Sequence, residues 1–368
     1  MHKLYAISHS LYSGRARSYL IKAGIPFQEL STGHESFKNE VLPKAGLPTI
    51  PTLLTPQGEV IRDGAKIIDH FEAQNGHAFQ PTGIKQHALS LLFDVIGAEG
   101  LVRPAMHYRW NFLEQNESFS HYHFLHSQRL TDSREQKTQY MMGRMKTVAG
   151  LWGVIPERHE LIETLYLELL QKLNQHFEQL PYLFGWRPSI GDFGLIAPLY
   201  AHLGRDPMPA TLMKQQAVRV YRWVERMNRP DQDAPEYFDA GDDYLADDEI
   251  PPTMIDVLRL LSEDFVPETE AHARAINQWL SANQPQAGTP AERFLDKAEF
   301  ELRGQAIESV SQPYRFALLQ RVQAVHDSLE PDQKSALTAV FEQCGMAALL
   351  NIRLNRTLGW ENNLDIWL

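Results

Sequence analysis

The first eighty residues change their apolar period several times, and that alternation narrows the possible folds more than any other feature of the chain. Lys3–Ser8 alternates as a short strand does, and Gly14–Ala23 has helical spacing with Gly24 placed to stop it. Phe27–Leu30 is a second strand. Thr52–Leu54 and Glu59–Ile61 are two short runs joined by Thr55-Pro-Gln-Gly58. Pro and Gly at those positions specify a turn, so the two runs form a β-hairpin. Ala65–Ala73 is an amphipathic helix closed by Asn75-Gly76. A loop carrying Pro43, Pro48 and Pro51 separates the two halves of this pattern. The order is β-α-β, a proline-bearing loop, then β-β-α.

That order is thioredoxin-like. From about residue 82 the strand signals fade and helical spacing takes over, in His87–Ile96, Gln136–Val148, Leu161–Leu180, Phe193–Leu203 and Met213–Met227. Charge then marks a boundary. Of the net −11, nine acidic residues fall between Pro230 and Glu249 with no Lys or Arg among them, leaving the rest of the chain near neutral. The segment 230–252 is therefore expected to be an acidic linker or loop. The expected fold class is an α/β thioredoxin-like domain over 1–78 and an all-helical domain over 83–229. A mostly helical extension over 253–368 is expected to pack on the helical domain.

Other properties exclude whole classes. Ordinary apolar content rules out collagen-like and wholly disordered chains. An acidic balance argues against nucleic acid or an anionic membrane as partner. No run of about 18 apolar residues suggests a membrane span. The N-terminus reads as a strand rather than a leader, and a cytoplasmic location is the expectation. The single cysteine, Cys344, precludes an intrachain disulfide and sits in an apolar run as a buried small residue would.

Four motifs bear on chemistry. Ser10-Leu-Tyr-Ser13 opens the first helix, where free N–H groups and the positive end of the helix dipole favour a thiolate. With Ser at both positions no disulfide cycle runs there. The pocket suits another molecule's thiolate, and helix N-capping is the equal alternative. Ile50-Pro51 precedes a paired strand, where a cis peptide would present the Ile50 backbone to a peptide-like ligand. Asp63, in Arg62-Asp63-Gly64-Ala65, stands at a helix start and can cap it or accept an ammonium group. Ser189-Ile-Gly-Asp192 has capping-box spacing, a folding device rather than a reactive one.

Together these residues resemble the cytosolic glutathione transferase superfamily. The likeness is close over residues 3–76 and looser over 85–228. The resemblance implies glutathione as co-substrate, no metal, a small electrophilic acceptor and a homodimer. It places Ser10, or its neighbour Ser13, on the glutathione sulfur, with Tyr5 and Tyr12 as further hydroxyls. Ile50 and Pro51 would meet the cysteinyl unit and Asp63 with Gly64 the γ-glutamyl group, while Lys44 would reach the glycyl carboxylate. Gly64 stands where the family usually has Ser, and Leu11 where it often has Pro. His107, Tyr108, Arg109 and Trp110, with Tyr12, are expected in the acceptor pocket, although core packing serves the aromatics equally well. His121, His123 and His126 lie close in sequence without a neighbouring Cys or carboxylate cluster, which favours surface or packing roles over a metal site. The reading from another class is a non-catalytic binding module with a degenerate site.

Overall fold

A four-stranded mixed sheet carries the N-terminal part of the chain. In a computed structural model, which describes residues 1–239 and 241–368, its strands are β1 (His2–Tyr5), β2 (Phe27–Leu30), β3 (Thr52–Leu54) and β4 (Val60–Arg62). They lie in the order β2-β1-β3-β4; β1 is parallel to β2 and antiparallel to β3, which pairs antiparallel with β4. Helices α1 (Leu11–Lys22) and α3 (Gly64–Gln74) pack together beside it, and a short α2 (Leu42–Ala45) lies in the proline-bearing loop. β1 stops at Tyr5 rather than Ser8, because Ile7-Ser8-His9 turns into α1 through the Ser10 N–H to Ile7 carbonyl bond (3.0 Å).

Among the described residues eight α-helices follow: α4 (Ile84–Val95), α5 (Val102–Trp110), α6 (Leu113–Ser127), α7 (Arg134–Val148), α8 (His159–His176), α9 (Ile190–Ala201), α10 (Pro207–Gln216) and α11 (Val218–Met227). The two central elements touch backbone to backbone: a Cβ on Gly97, just after α4, would meet the Gly194 carbonyl oxygen of α9 at 2.1 Å. No side chain fits there. The expected helix Met213–Met227 is broken at Ala217 (φ −148°, ψ 62°), and Asn174 of α8 accepts the Arg219 N–H (2.9 Å) at the new helix start. In α9, the Asp192 carboxylate takes the Ser189 N–H (2.8 Å), the Ser189 hydroxyl (2.9 Å) and the Trp223 indole (3.1 Å).

The acidic segment is an exposed loop tied to the body at several points. Asp248 caps α4 by accepting the N–H groups of Lys85 (2.8 Å) and Gln86 (2.9 Å). Glu236 pairs with the buried Arg226, Asp233 with Arg222, and the Tyr244 hydroxyl donates to the Pro188 carbonyl (2.9 Å). Asp233, Glu236 and Asp248 are thus spent on specific cations and one helix end, while Asp231, Asp239, Asp242, Asp247 and Glu249 are exposed.

Beyond it, α12 (Pro252–Asn283) spans about 48 Å at 1.5 Å per residue. Two β-hairpins stand where mostly helix is expected: β5 (Lys297–Leu302) with β6 (Gln305–Val310), and β7 (Leu358–Glu361) with β8 (Leu364–Trp367). Helices α13 (Pro313–Asp327) and α14 (Pro331–Gln343) lie between them. Both hairpins turn on two residues of positive φ, Arg303-Gly304 and Asn362-Asn363, the geometry whose twist suits paired strands. This block contacts the N-terminal sheet as well as the helices. Asn363 accepts the Arg62 N–H (2.9 Å) and donates to the Val60 carbonyl (3.0 Å), covering the otherwise open edge of β4. Cys344, at the end of α14, is buried and its thiol is pushed up to about 12 by that burial.

Candidate functional site

Strand β3 begins at a corner of the sheet. The Ile50–Pro51 peptide bond is cis. Among the described residues nothing pairs with the Ile50 N–H or carbonyl, so this stretch of backbone is open to an added strand-like ligand. Asp63 sits beside it. Its N–H reaches the Pro51 carbonyl (3.1 Å), and its backbone takes φ 82°, ψ 139°, a region that side chains other than Gly avoid. Bonds to the carboxylate hold it there. Oδ1 accepts the N–H groups of Ala65 (2.9 Å) and Lys66 (3.2 Å) at the start of α3, and Oδ2 accepts the Tyr314 hydroxyl (2.6 Å). Asp63 is therefore a cap, and one side of it is already met by α13. Gly64 has a local reason too: a Cβ there would lie 3.0 Å from the buried side chain of Arg15, which pairs with Asp94 and donates to Tyr314.

These groups border one cavity of about 470 Å³. Tyr12, Thr49, Ile50, Pro51, Arg62 and Asp63 supply its N-terminal side. Glu99 borders it from the turn after α4, and Arg293, Gln312, Tyr314 and Asp365 come from the C-terminal block. Leu47, Pro290, Ala291, Pro313 and Leu364 make much of the lining apolar. The Tyr12 hydroxyl has no hydrogen-bond partner among the described residues, and burial together with the nearby Glu99 raises its pKa, so it stays a proton donor. Burial, reinforced by Asp63, pushes the Asp365 carboxyl up to about 6. An arriving cation would be welcomed by that pair. Arg293 has no carboxylate partner among the described residues, and Arg62 is occupied by the Asn363 carbonyl (2.5 Å) and the Trp360 ring. The cavity thus offers an open backbone edge, a free phenol, two guanidinium groups and four carboxyl groups, those of Asp63, Glu99, Glu292 and Asp365.

Not every expected residue is brought here. Ser10 is half-buried at the N-cap of α1 without a cap bond from its side chain, and it does not line the cavity. Ser13 is fully buried with no partner for its hydroxyl. Tyr5 is enclosed and bonded to Ser36 (2.6 Å). Lys44 lies outside the cavity, with its ammonium on the Gly58 carbonyl (2.7 Å) at the opposite end of the β3–β4 hairpin. His107, Tyr108, Arg109 and Trp110 are core residues rather than pocket wall. Arg109 grips Asp206 through two bonds and donates to the His9 carbonyl (2.7 Å), which fixes the turn ahead of α1. His107 meets Glu163 (2.8 Å), and Tyr108 stacks on Phe112. His121 bonds Glu135, His123 bonds Arg205, and His126 bonds the Tyr122 carbonyl. Among the described residues no group of three or more His, Cys, Asp or Glu is arranged to hold a metal ion.

Glu99, Arg293, Gln312, Tyr314 and Asp365 were not legible as site residues. They come from a turn and from a block that approaches the sheet only through tertiary packing. The Asn362-Asn363 pair, flanked by alternating residues, was the available signal for the hairpin that carries Asp365.

Residues 9–74 match the family model described as the glutathione S-transferase N-terminal domain. That segment is therefore a glutathione S-transferase N-terminal domain, and the chain has a thioredoxin-like sheet followed by helices as that fold requires. No curated protein matches the chain. Among solved structures, a glutathione S-transferase from Xanthobacter autotrophicus is similar at 20% identity and TM-score 0.34, covering 61% of this chain and 92% of that one. Beta-etherase LigF from Sphingobium is similar at 14% identity and TM-score 0.42, covering 62% and 94%. A glutathione S-transferase from Methylobacterium radiotolerans in complex with glutathione sulfonate is similar at 13% identity and TM-score 0.37, covering 67% and 99%.

Proposed function

We propose that the protein binds glutathione in the cavity between the N-terminal sheet and the C-terminal block, and holds its thiolate for transfer to an electrophilic acceptor. The observation that carries this reading is the convergence of the open Ile50 backbone, Asp63 and the free Tyr12 hydroxyl on one cavity. In it the Ile50 N–H and carbonyl pair with the cysteinyl unit, and Asp63 with Asp365 accepts the γ-glutamyl ammonium. Arg62 and Arg293 face the two carboxylates. Tyr12 donates to the sulfur, which favours thiolate over thiol. Ser10 is the alternative donor, reachable if the α1 start shifts on binding. A homodimer belongs to the same reading on the family likeness alone, and sedimentation tests it.

Calorimetric titration with glutathione and with cysteinylglycine tests the binding half. Glutathione should bind, and loss of the γ-glutamyl unit should weaken binding by at least about tenfold, because the pairing at Asp63 and Asp365 goes with it. Equal binding of both, or none of either, contradicts the pose. A second reading, a binding module without turnover, is favoured by one observation: the Tyr314 hydroxyl already occupies one oxygen of Asp63. Glutathione binding without reaction across a panel of electrophiles would select it.

A further inference from the structure

The inner wall of the cavity holds a carboxyl group that glutathione binding leaves unused. Glu99 lies in the Ile96–Gly100 turn after α4, is 3% exposed, and borders the same cavity as Tyr12. Its two oxygens differ. Oε2 accepts from the side-chain amide of Gln312, whereas Oε1 is buried with no partner. Gln312 is itself fixed, since its oxygen accepts the Trp152 indole N–H (2.9 Å) and its NH₂ group must then face Glu99. A carboxyl oriented by one oxygen and unpartnered at the other has one hydrogen bond still to make, and Glu99 borders the cavity.

The charged and titratable groups facing Glu99 come from several elements. They are Tyr12 and Arg15 of α1, Glu268 of α12, Arg293 of the loop after α12, and Arg315 of α13, whose guanidinium donates to the Glu99 carbonyl (3.3 Å). Burial outweighs the guanidinium groups and raises the Glu99 carboxyl to about 7. Near neutral pH it therefore carries a proton much of the time.

We propose that Glu99 donates a proton to the acceptor, so that the site favours electrophiles whose reaction places charge on oxygen, with conjugated ketones as the type. This rests on the glutathione reading above. The glutathione sulfur forms a bond to the β-carbon, the C=C electron pair moves toward the carbonyl, and the carbonyl oxygen takes the proton from the Glu99 carboxyl. The enol then becomes the saturated ketone. The proton released when the thiol ionised passes to solvent, and solvent returns one to Glu99. Thiol plus enone gives thioether, with no oxidant or reductant needed. Tyr12 serves the sulfur and Glu99 the oxygen; Gln312 and Trp152 position Glu99.

Two acceptors separate this role from a structural one: an enone, and a chloronitroarene, which expels chloride and needs no proton. In the full-length protein E99Q should lower the enone-to-nitroarene ratio of kcat/KM by about 100-fold, within the range of general-acid contributions. An unchanged ratio overturns the proposal. The wild type gives a second readout that does not depend on a variant folding. Its enone-to-nitroarene ratio should be flat below about pH 7 and fall about tenfold per pH unit above it, because thiolate formation is common to both reactions. A ratio that stays flat from about pH 6 to 9 overturns the proposal. Calorimetry with glutathione on the same samples distinguishes the failures. Binding with a flat ratio rejects the role of Glu99 alone, and absence of binding rejects the glutathione reading and this proposal with it.

Discussion

The N-terminal sheet and the C-terminal block both enter the main apolar core, and they differ in what each adds to it: a second apolar cluster in the sheet, buried charge in the block. The outer face of the sheet closes over an apolar cluster of Tyr5, Phe37, Val41, Ala45, Leu54 and Val60, and its β3–β4 hairpin pairs near neighbours in sequence. The block shares the main apolar core through residues such as Phe265, Ile276, Leu319 and Phe341, and adds a network of buried charge. Arg103 of α5 pairs with Asp264 and Glu268 of α12, Glu268 pairs with Arg315 of α13, and the Ser309 hydroxyl donates to Glu268 (2.8 Å) while also meeting His272 (2.8 Å). Apolar packing is forgiving of a neighbour's exact atoms. A buried ionic joint is not, because removing one partner strands the others in a medium that solvates them poorly.

The largest expected effect follows from that contrast. Glu268→Ala leaves Arg103 and Arg315 short of a counter-charge and should cost about 3–5 kcal/mol in denaturant unfolding. A loss below about 1 kcal/mol would show that the joint is held by its apolar contacts after all. Next is a pH effect at Glu99. Its folded carboxyl lies at about 7 against an ordinary value of 4.5, so the folded state binds the proton more tightly than the unfolded chain. That contribution is fully present below about pH 4.5 and is lost as pH rises through 7. The stability of the wild type relative to E99Q should therefore fall by on the order of 3 kcal/mol across that window, and level off above it. A rise over the same window would mean that the arginines, not burial, dominate Glu99.

Smaller effects probe the cavity, where the two regions meet. Tyr12→Phe should raise the pKa of bound glutathione by about 1–2 units, read from thiolate absorbance, as expected for the loss of a hydrogen bond to a charged atom. Ser10→Ala should shift it less; the reverse order would move the sulfur to the start of α1. Tyr314→Phe removes the hydroxyl between Asp63 and Arg15 and should cost about 1–2 kcal/mol of stability. No change would mean that this contact between block and sheet is incidental.

The same two regions differ in how much of them the sequence carried. In the first, strands Phe27–Leu30 and Thr52–Leu54 are where the pattern puts them, because each is short and bounded by turn residues. In the second, Lys297–Leu302 alternates buried and exposed residues, a strand pattern, but its Arg303-Gly304 turn is a weaker signal than Asn-Gly, and the helical spacing of its surroundings masks it. The helix break at Ala217 depends on Asn174, which is 43 positions away in sequence from the residue it interrupts. The acidic segment was visible as charge, yet its partners Arg222, Arg226 and the start of α4 are set by tertiary contact. Site residues follow the same division. Ile50, Pro51, Asp63 and Tyr12 stand in local motifs, whereas Glu99 and the groups from the C-terminal block reach the cavity only after the chain has folded back on itself.

Amide hydrogen exchange of the full-length protein with and without glutathione tests most directly whether sheet and block form one binding site. The account predicts that glutathione slows exchange in three separated stretches, about residues 49–66 in the sheet and about residues 290–314 and 362–366 in the block. Protection confined to the first stretch, or absent from both, would contradict it.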